Sequence, residues 1–331
     1  MAEKDNFKSY GHSTLWMSIY IITFVTGFPA NAVALYTFVK KVRQKAIPID
    51  ILLLNLSISD LIFLLFLPVK IKEVMDNMIW QMPEFLCFLT SFVFYTTIYN
   101  SILLLTAISV ERYLGVAFPI KYKLKSRPLH AVIASFFFWV ISIGHISVVY
   151  IMESSHPFNT TNTEYMCYSD FTEDQLNILI LFRLELFLVL FCVPFFICSF
   201  CYIKFVCILS QLPNISKRKR LRAIGLSLAT LLVFIVCFTP YNLSHIVGFV
   251  NWNNTPWRVD ALISSVLNAS LDPIIFYFSS LALRSTYHHF LKTLLERVQG
   301  LWCRCKTLSW PMLVCPRNQN KITPSSNDNS L

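Results

Sequence analysis

Arg183 and Arg258 stand in stretches of this chain that are otherwise apolar enough to cross a membrane. A guanidinium cannot shed its charge, and at membrane depth it costs about 3 kcal/mol or more unless it meets water or an anion. Four further polar residues fall into pairs: Tyr241 and His245 are one helical turn apart and share a face, as do Tyr95 and Tyr99. His145 lies in the outer half of another apolar stretch. Taken singly, each of these is a satisfied core residue more often than a ligand contact. Together, two guanidinium forks, a histidine and phenol hydroxyls describe a small polar cavity. Its chemistry suits a carboxylate, which arginine holds through two parallel N–H···O bonds.

The elements that must position these groups can be read next. Thr172, with Gln175 three residues later, makes a capping-box pattern that predicts a helix start. At 1.5 Å per residue, Arg183 is then ~15 Å along that helix, too deep for a residue at its mouth. Snorkelling is the competing reading, and an intramembrane charge more often faces the bundle interior. Thr255-Pro256-Trp257 reads as an N-cap followed by an N1 proline, which puts Arg258 in the first turn of the last apolar helix. Alone, Arg258 is an interfacial or snorkelling residue. A helix N-terminus disfavours a cation, however, so a nearby anion would make sense of it.

The chain has 331 residues, 55% hydrophobic and 14% charged, with 29 Phe and 7 Gly. That composition excludes an ordinary soluble domain and predicts an all-α polytopic membrane protein. Runs of spanning length cover Leu15–Val39, Ile47–Val69, Phe85–Phe118, Leu129–Ile151, Leu176–Leu209, Ile224–Val250 and Pro256–Ser280, a count of seven. The net charge of +10 does not describe a nucleic-acid patch. It gathers as Lys40, Lys41, Arg43 and Lys45, as Lys121 to Arg127, and as Lys217 to Arg222. These clusters occupy alternate loops, which makes those loops cytosolic by the positive-inside rule. Residues 1–14 are then an extracellular tail with no cleavable signal peptide, and residues 15–280 form the membrane bundle. Leu281–Val298 mixes apolar residues with Arg284, His288, Lys292 and Arg297, the pattern of an amphipathic helix on the inner leaflet. Residues 299–331 form a polar cytosolic tail. Cys303, Cys305 and Cys315 in that region are palmitoylation candidates or ordinary thiols with equal weight.

Of the ten cysteines only Cys87 and Cys167 lie at outer ends or loops, where an oxidising exterior would pair them. The sequon Asn159-Thr160-Thr161 lies in the same outer loop and is a candidate glycan site. Asn253-Asn254-Thr255 is followed by Pro256, which makes it a poor sequon.

Span by span, the chain resembles the rhodopsin-like (class A) G-protein-coupled receptors. Gly27-Phe28-Pro29-Ala30-Asn31, Leu56-Ser57-Ile58-Ser59-Asp60, and Cys87 followed by Glu111-Arg112-Tyr113 match that family's first three helices. Trp139, Pro194 with Tyr202, Cys237-Phe238-Thr239-Pro240 and Asp272-Pro273 match the remaining four. Phe238 stands where many members carry tryptophan, and Phe276 stands where they usually carry tyrosine, with Tyr277 one step later. The resemblance implies that Arg112 pairs with Glu111 at rest and meets the G protein when helix six swings out. Many members close that arginine with an acid at the base of helix six. Here Lys217-Arg218-Lys219-Arg220 repels it, so signalling without agonist is expected. The resemblance also implies that Asp60, Ser101, Asn268 and Asp272 gather as an allosteric Na+ pocket, since buried carboxylates need cations or protons. No other cofactor is expected.

The resemblance narrows on Arg183-Leu184-Glu185, Pro240-Tyr241-Asn242-Leu243-Ser244-His245, Arg258 and the run Glu111 to Pro119, which are similar to the free fatty acid receptors. It implies short-chain carboxylates (acetate, propionate, butyrate) held by Arg183, Arg258 and His245, with Tyr95, Tyr99, His145 and Tyr241 shaping the pocket. Glu164 matches an outer-loop acid that pairs with these arginines when no ligand is bound. The implied partners are heterotrimeric G proteins of the Gi/o and Gq types, arrestin and membrane lipid, at the plasma membrane. Nucleic acid is not among them. Receptors for lactate, another hydroxy acid or a nucleotide could use the same cations. A monocarboxylate transporter would be expected to carry an internal repeat and usually more spans, and neither is seen. A retinal-type photoreceptor needs a lysine in Pro256–Tyr277, which has none. No metal-ligand spacing or nucleophile constellation points to an enzyme.

Overall fold

The computed structural model describes residues 2–125, 128–154, 167, 173–212, 216–280, 283–293 and 295–297. Seven helices within them are long and apolar enough to cross a membrane: Ser13–Gln44, Pro48–Met75, Glu84–Ala117, Pro128–Val148, Glu173–Gln211, Lys217–Asn251 and Arg258–Phe278, called here helices one to seven. The described residues contain no strand. Each helix overlaps its sequence-read span, because an unbroken apolar run of about 20 residues is itself the physical requirement for crossing. The segment read as an N-terminal tail differs: the backbone is helical from Ala2 and continuous with helix one. Ala, Glu and Lys favour helix, and neither proline nor glycine occurs before Gly11. A short helix not read from the sequence, Pro119–Lys125, follows helix three in a basic loop.

The bundle lies within residues 1–284, and helix three is its centre, touching helices two, four, five and six. Helix one packs on helices two and seven. Cys87 near the start of helix three is bonded to Cys167, with Cα atoms 5.8 Å apart, as the cysteine positions suggested. Arg112 lies near the other end of helix three, so the bundle has a disulfide end and a basic end. Beyond the bundle, residues 285–293 and 295–297 are helical. The tail cysteines Cys303, Cys305 and Cys315 lie outside the described residues, as do Asn159 and Glu164.

The interior prolines shape the helices in three different ways. Ahead of Pro194 and Pro240 the helix widens to π geometry, over Leu186–Cys192 and Phe234–Phe238. A proline has no N–H to return to the carbonyl four residues earlier and clashes with it, and a wider turn relieves both faults. In helix six the opened turn is also bridged: Cys237 carbonyl accepts Ser264 Oγ at 3.0 Å and Ser265 Oγ at 2.9 Å from helix seven. At Pro273 the orphaned carbonyl is that of Ala269, and Asn31 Nδ2 of helix one donates to it at 2.8 Å. The approach is close enough that a Cβ at Gly27 would sit 3.0 Å from the same oxygen. The helix-one motif and the helix-seven proline are thus one packing unit.

Candidate functional site

Arg183 lies ten residues into the helix that starts at Glu173, ~15 Å from its end. It is buried, 7% exposed, and donates from Nη1 to Asn254 Oδ1 at 3.1 Å. Asn254 is delivered by the turn between helices six and seven. Trp252 ends helix six in the left-handed conformation (φ 47°), and its indole donates to Asn177 Oδ1 on helix five at 2.8 Å. Asn253 N–H then returns to Gly248 carbonyl at 3.0 Å. The glycine eases this fold-back, since a Cβ there would lie 3.1 Å from Asn253 O and 3.2 Å from Thr255 Oγ1, and both would have to give by a few tenths of an ångström.

Arg258 is the first residue of helix seven, as the sequence indicated, and is likewise 7% exposed. Its Nε has no hydrogen-bond partner, and among the described residues no carboxylate lies within ion-pair distance of it. Thr255 does not cap the helix. Its hydroxyl donates to Ser244 carbonyl at 3.0 Å and so ties the start of helix seven to helix six.

The two guanidiniums lie within electrostatic range of each other, of Tyr241 and of His245. His245 is buried; its Nε2 is 3.2 Å from Tyr99 hydroxyl, and its Nδ1 has no partner. Tyr99 hydroxyl is also 3.5 Å from Asn242 Oδ1. The rings of Tyr241 and Tyr95 stack at 6.0 Å, and Tyr241 meets the His245 ring edge-on at 4.7 Å. Five of the expected pocket residues therefore gather around Arg183: Arg258, His245, Tyr241, Tyr95 and Tyr99. The site is rich in donors and has two like charges on buried side chains. A bound anion would lower its energy more than any neutral occupant.

His145 meets this group only through Glu185, which lies within electrostatic range of Tyr99. Its Nε2 is 3.2 Å from Glu185 Oε1, and its Nδ1 is 2.8 Å from Ile141 carbonyl. The pair lies on the flank between helices four and five, and His145 lines a groove of about 630 Å³ there with Phe138, Val189 and Val193. Residues two apart on a helix point about 200° apart, so a helix that turns Arg183 inward must turn Glu185 toward helix four. That rotation could have been drawn from the sequence.

Asp60, Ser101 and Asn268 line a cavity of about 10 Å³ beneath Phe238, the size of one water or small ion. Asn268 Nδ2 donates to Asp272 Oδ2 at 3.0 Å. Asp60 Oδ2, Asn268 Oδ1 and Asp272 Oδ1 remain buried acceptors with no donor. That set of hard oxygen atoms fits a sodium ion.

At the basic end Arg112 Nη1 donates to Thr230 Oγ1 of helix six at 2.8 Å. Glu111, read as the partner of Arg112, accepts from Tyr122 hydroxyl of the short helix at 2.7 Å. Tyr113 packs edge-on against Phe200 at 6.0 Å, and Tyr202 is half-buried on helix five. Asn254, Thr230 and Tyr122 are the residues sequence reading missed. Thr230, a β-branched hydroxyl in an apolar helix, offered a weak signal, and Asn254 was visible only as part of a poor sequon.

The family model described as 7 transmembrane receptor (rhodopsin family) matches residues 30–276. The chain is 49% identical over 279 residues to free fatty acid receptor 2 of Rattus norvegicus, covering 83% of this chain and 84% of that receptor. It is 48% identical over 294 residues to free fatty acid receptor 2 of Homo sapiens, covering 87% and 88%. It is 46% identical over 287 residues to free fatty acid receptor 3 of Mus musculus, covering 86% and 89%. These relatives are receptors and not enzymes, and their seven helices make them multi-pass membrane proteins. The chain accordingly belongs to the class A (rhodopsin-like) G-protein-coupled receptors and, within them, to the free fatty acid receptor family.

Proposed function

We propose that this receptor senses short-chain carboxylates such as acetate, propionate and butyrate at the plasma membrane. The observation that carries the reading is the convergence of two buried guanidiniums on His245, whose Nδ1 has no partner. A carboxylate entering there meets charge-assisted donors from Arg183 and Arg258, a ring nitrogen, and the phenols of Tyr99 and Tyr241. The disulfide end faces outward and the basic end the cytosol, with the N-terminus outside, in keeping with the positive loops. Glu164 and Asn159 are assigned to the outer surface, as resting counter-ion and glycan site. Arg112 and the tyrosines Tyr113 and Tyr202 engage Gi/o or Gq proteins, and arrestin follows. Asp60, Ser101, Asn268 and Asp272 hold an allosteric Na+.

Ligand size supports an abundant metabolite. Acetate has four heavy atoms, and at a ceiling of ~1.5 kcal/mol per atom it gains at most ~6 kcal/mol, a Kd of tens of micromolar at best. The test is a dose–response panel from formate to hexanoate, with lactate and β-hydroxybutyrate as competitors, read by G-protein dissociation. Two- to four-carbon acids are expected to lead. A receptor that answers lactate but not propionate would move the assignment to hydroxy acids.

A further inference from the structure

Helices six and seven are hydrogen-bonded to each other at two levels, and His245 and Arg258 stand between them. At the outer level Thr255 hydroxyl donates to Ser244 carbonyl at 3.0 Å, next to His245 and three residues before Arg258. At the inner level Ser264 and Ser265 of helix seven both reach Cys237 carbonyl of helix six, at 3.0 and 2.9 Å. Arg258 and Ser265 are seven residues apart on one helix, so they share a face about 10 Å apart along its axis. Tyr241 and His245 stand one and two turns outward of Cys237 on helix six.

The inner level falls on the weakest point of helix six. Cys237 lies in the π turn Phe234–Phe238 ahead of Pro240, where the proline removes a backbone donor. Outward of this joint, helix six carries Tyr241 and His245; inward of it, Thr230 accepts from Arg112 at 2.8 Å. The two halves therefore meet at a turn that its own backbone holds poorly and that helix seven braces. The two braces are not equivalent. A hydroxyl has one proton, and Ser264 Oγ also lies 2.6 Å from Ala261 carbonyl of its own helix. Ser265 is 3% exposed and gives its proton to Cys237 carbonyl. It also lines the small cavity with Phe238, Asp60 and Asn268, so its bond stands where helices two, six and seven meet.

We infer that Ser265 is a positioning residue for signal transmission: its bond to Cys237 carbonyl makes the two halves of helix six move together, so that a ligand drawn between Arg258 and His245 acts on the Thr230 contact. Ser264 is the reserve donor. Neither serine needs to touch the ligand. The element with two states is helix six, which meets Arg112 through Thr230 in this structure and swings out on activation. With the joint slack, the outer half can answer the ligand without the inner half following. The inference rests on the carboxylate reading above.

The test separates binding from transmission in Ser264→Ala, Ser265→Ala, Ser264→Ala/Ser265→Ala and Ser265→Thr. All measurements are made in choline chloride, so that no sodium in the Asp60 cavity contributes. Binding is read as the rise in melting temperature of the purified receptor with propionate, which needs no G protein. Transmission is read as the ratio of propionate-stimulated to basal G-protein activation at measured surface expression. In Ser265→Ala the ratio should fall about fivefold, the worth of one hydrogen bond in an equilibrium, with the propionate midpoint of the thermal shift unchanged. Ser264→Ala should lower the ratio less, and the double variant should lose more than the two single losses combined. Ser265→Thr keeps the hydroxyl and should stay near wild type. A Ser265→Ala receptor with a wild-type ratio overturns the inference. So does one whose thermal-shift midpoint weakens by the same factor, which would make the bond part of the ligand site's shape. So does one that fails to reach the surface, which would make it a folding contact. A wild-type receptor that neither melts higher nor signals with propionate overturns the carboxylate reading, and this inference with it.

Discussion

Arg112 Nη1 donates to Thr230 Oγ1 at 2.8 Å, and the same threonine hydroxyl donates in turn to Leu226 carbonyl at 3.0 Å. Thr230 is 1% exposed, so this contact ties helix three to helix six out of water. Below it, Lys217-Arg218-Lys219-Arg220 offers no acid. The acceptor on helix six is therefore neutral. A hydrogen bond from a charged donor to a neutral acceptor contributes about 1.5–3 kcal/mol, less than the 3–5 kcal/mol lost when a buried ion pair is broken.

A tie of that size should hold the resting state incompletely. Signalling without agonist is expected to exceed that of mock-transfected cells. Thr230→Val removes the acceptor and keeps the shape, so basal signalling should rise further, by tenfold or so for a loss of about 1.4 kcal/mol. Thr230→Ser keeps the oxygen and should stay near wild type. The readout is basal G-protein activation at matched surface expression; a Thr230→Val receptor no more active than wild type would remove this contact from the mechanism.

The second expectation concerns folding. Pro273 leaves Ala269 carbonyl without its helical donor, and Asn31 supplies one from a position 238 residues away. Asn31→Ala should destabilise the purified receptor by about 1–3 kcal/mol, the cost of an unsatisfied buried acceptor. The effect should shrink in a Pro273→Ala background, where the restored amide at position 273 can serve the same carbonyl. Thermal melts of the four species form a double-mutant cycle. Additive losses would mean that the two residues are not coupled through this oxygen.

What could be read from the sequence, and what could not, divides along physical lines. The seven spans are properties of local apolar length, so their centres were legible, and the isolation of Cys87 and Cys167 from the other cysteines was enough to pair them. Arg183 was legible by depth because depth is a distance along one helix. The partner of Arg183 was not, because Asn254 reaches it only through the left-handed turn at Trp252. His145 was expected to shape the pocket; its own contacts are with Glu185 and Ile141, a pairing that the rotation of Glu185 relative to Arg183 would have suggested. Thr255 looked like a helix cap locally, yet its hydroxyl goes to Ser244, a contact between two helices. Pairings across the bundle have no spacing rule to betray them.

The third expectation concerns sodium. Asp60 and Asn268 line a cavity of about 10 Å³, and they and Asp272, which bonds to Asn268, each keep a buried oxygen without a donor. If Na+ occupies that site in the resting receptor, replacing NaCl by choline chloride should raise agonist potency. Asp60→Asn should make potency indifferent to the exchange. A wild-type receptor with the same potency in both salts would leave these carboxylates as proton-bearing packing groups.

The last expectation weighs geometry against charge at the arginines. Arg183→Lys and Arg258→Lys keep a cation but lose the planar fork that matches a carboxylate. If charge alone steered the ligand, both variants would respond to propionate almost normally. If bidentate hydrogen bonds hold it, each should lose about 1.5–3 kcal/mol, a potency drop of roughly tenfold to a hundredfold. That is a large share of the ~6 kcal/mol a four-atom ligand can gain at all. Arg183→Ala and Arg258→Ala should therefore be silent at any practical propionate concentration while remaining at the cell surface. Arg183 should be the more sensitive of the two to lysine, because its guanidinium is already aimed by Asn254 and a lysine cannot reproduce that angle. An Arg183→Ala receptor that still answers propionate would mean that the carboxylate lies elsewhere in the bundle.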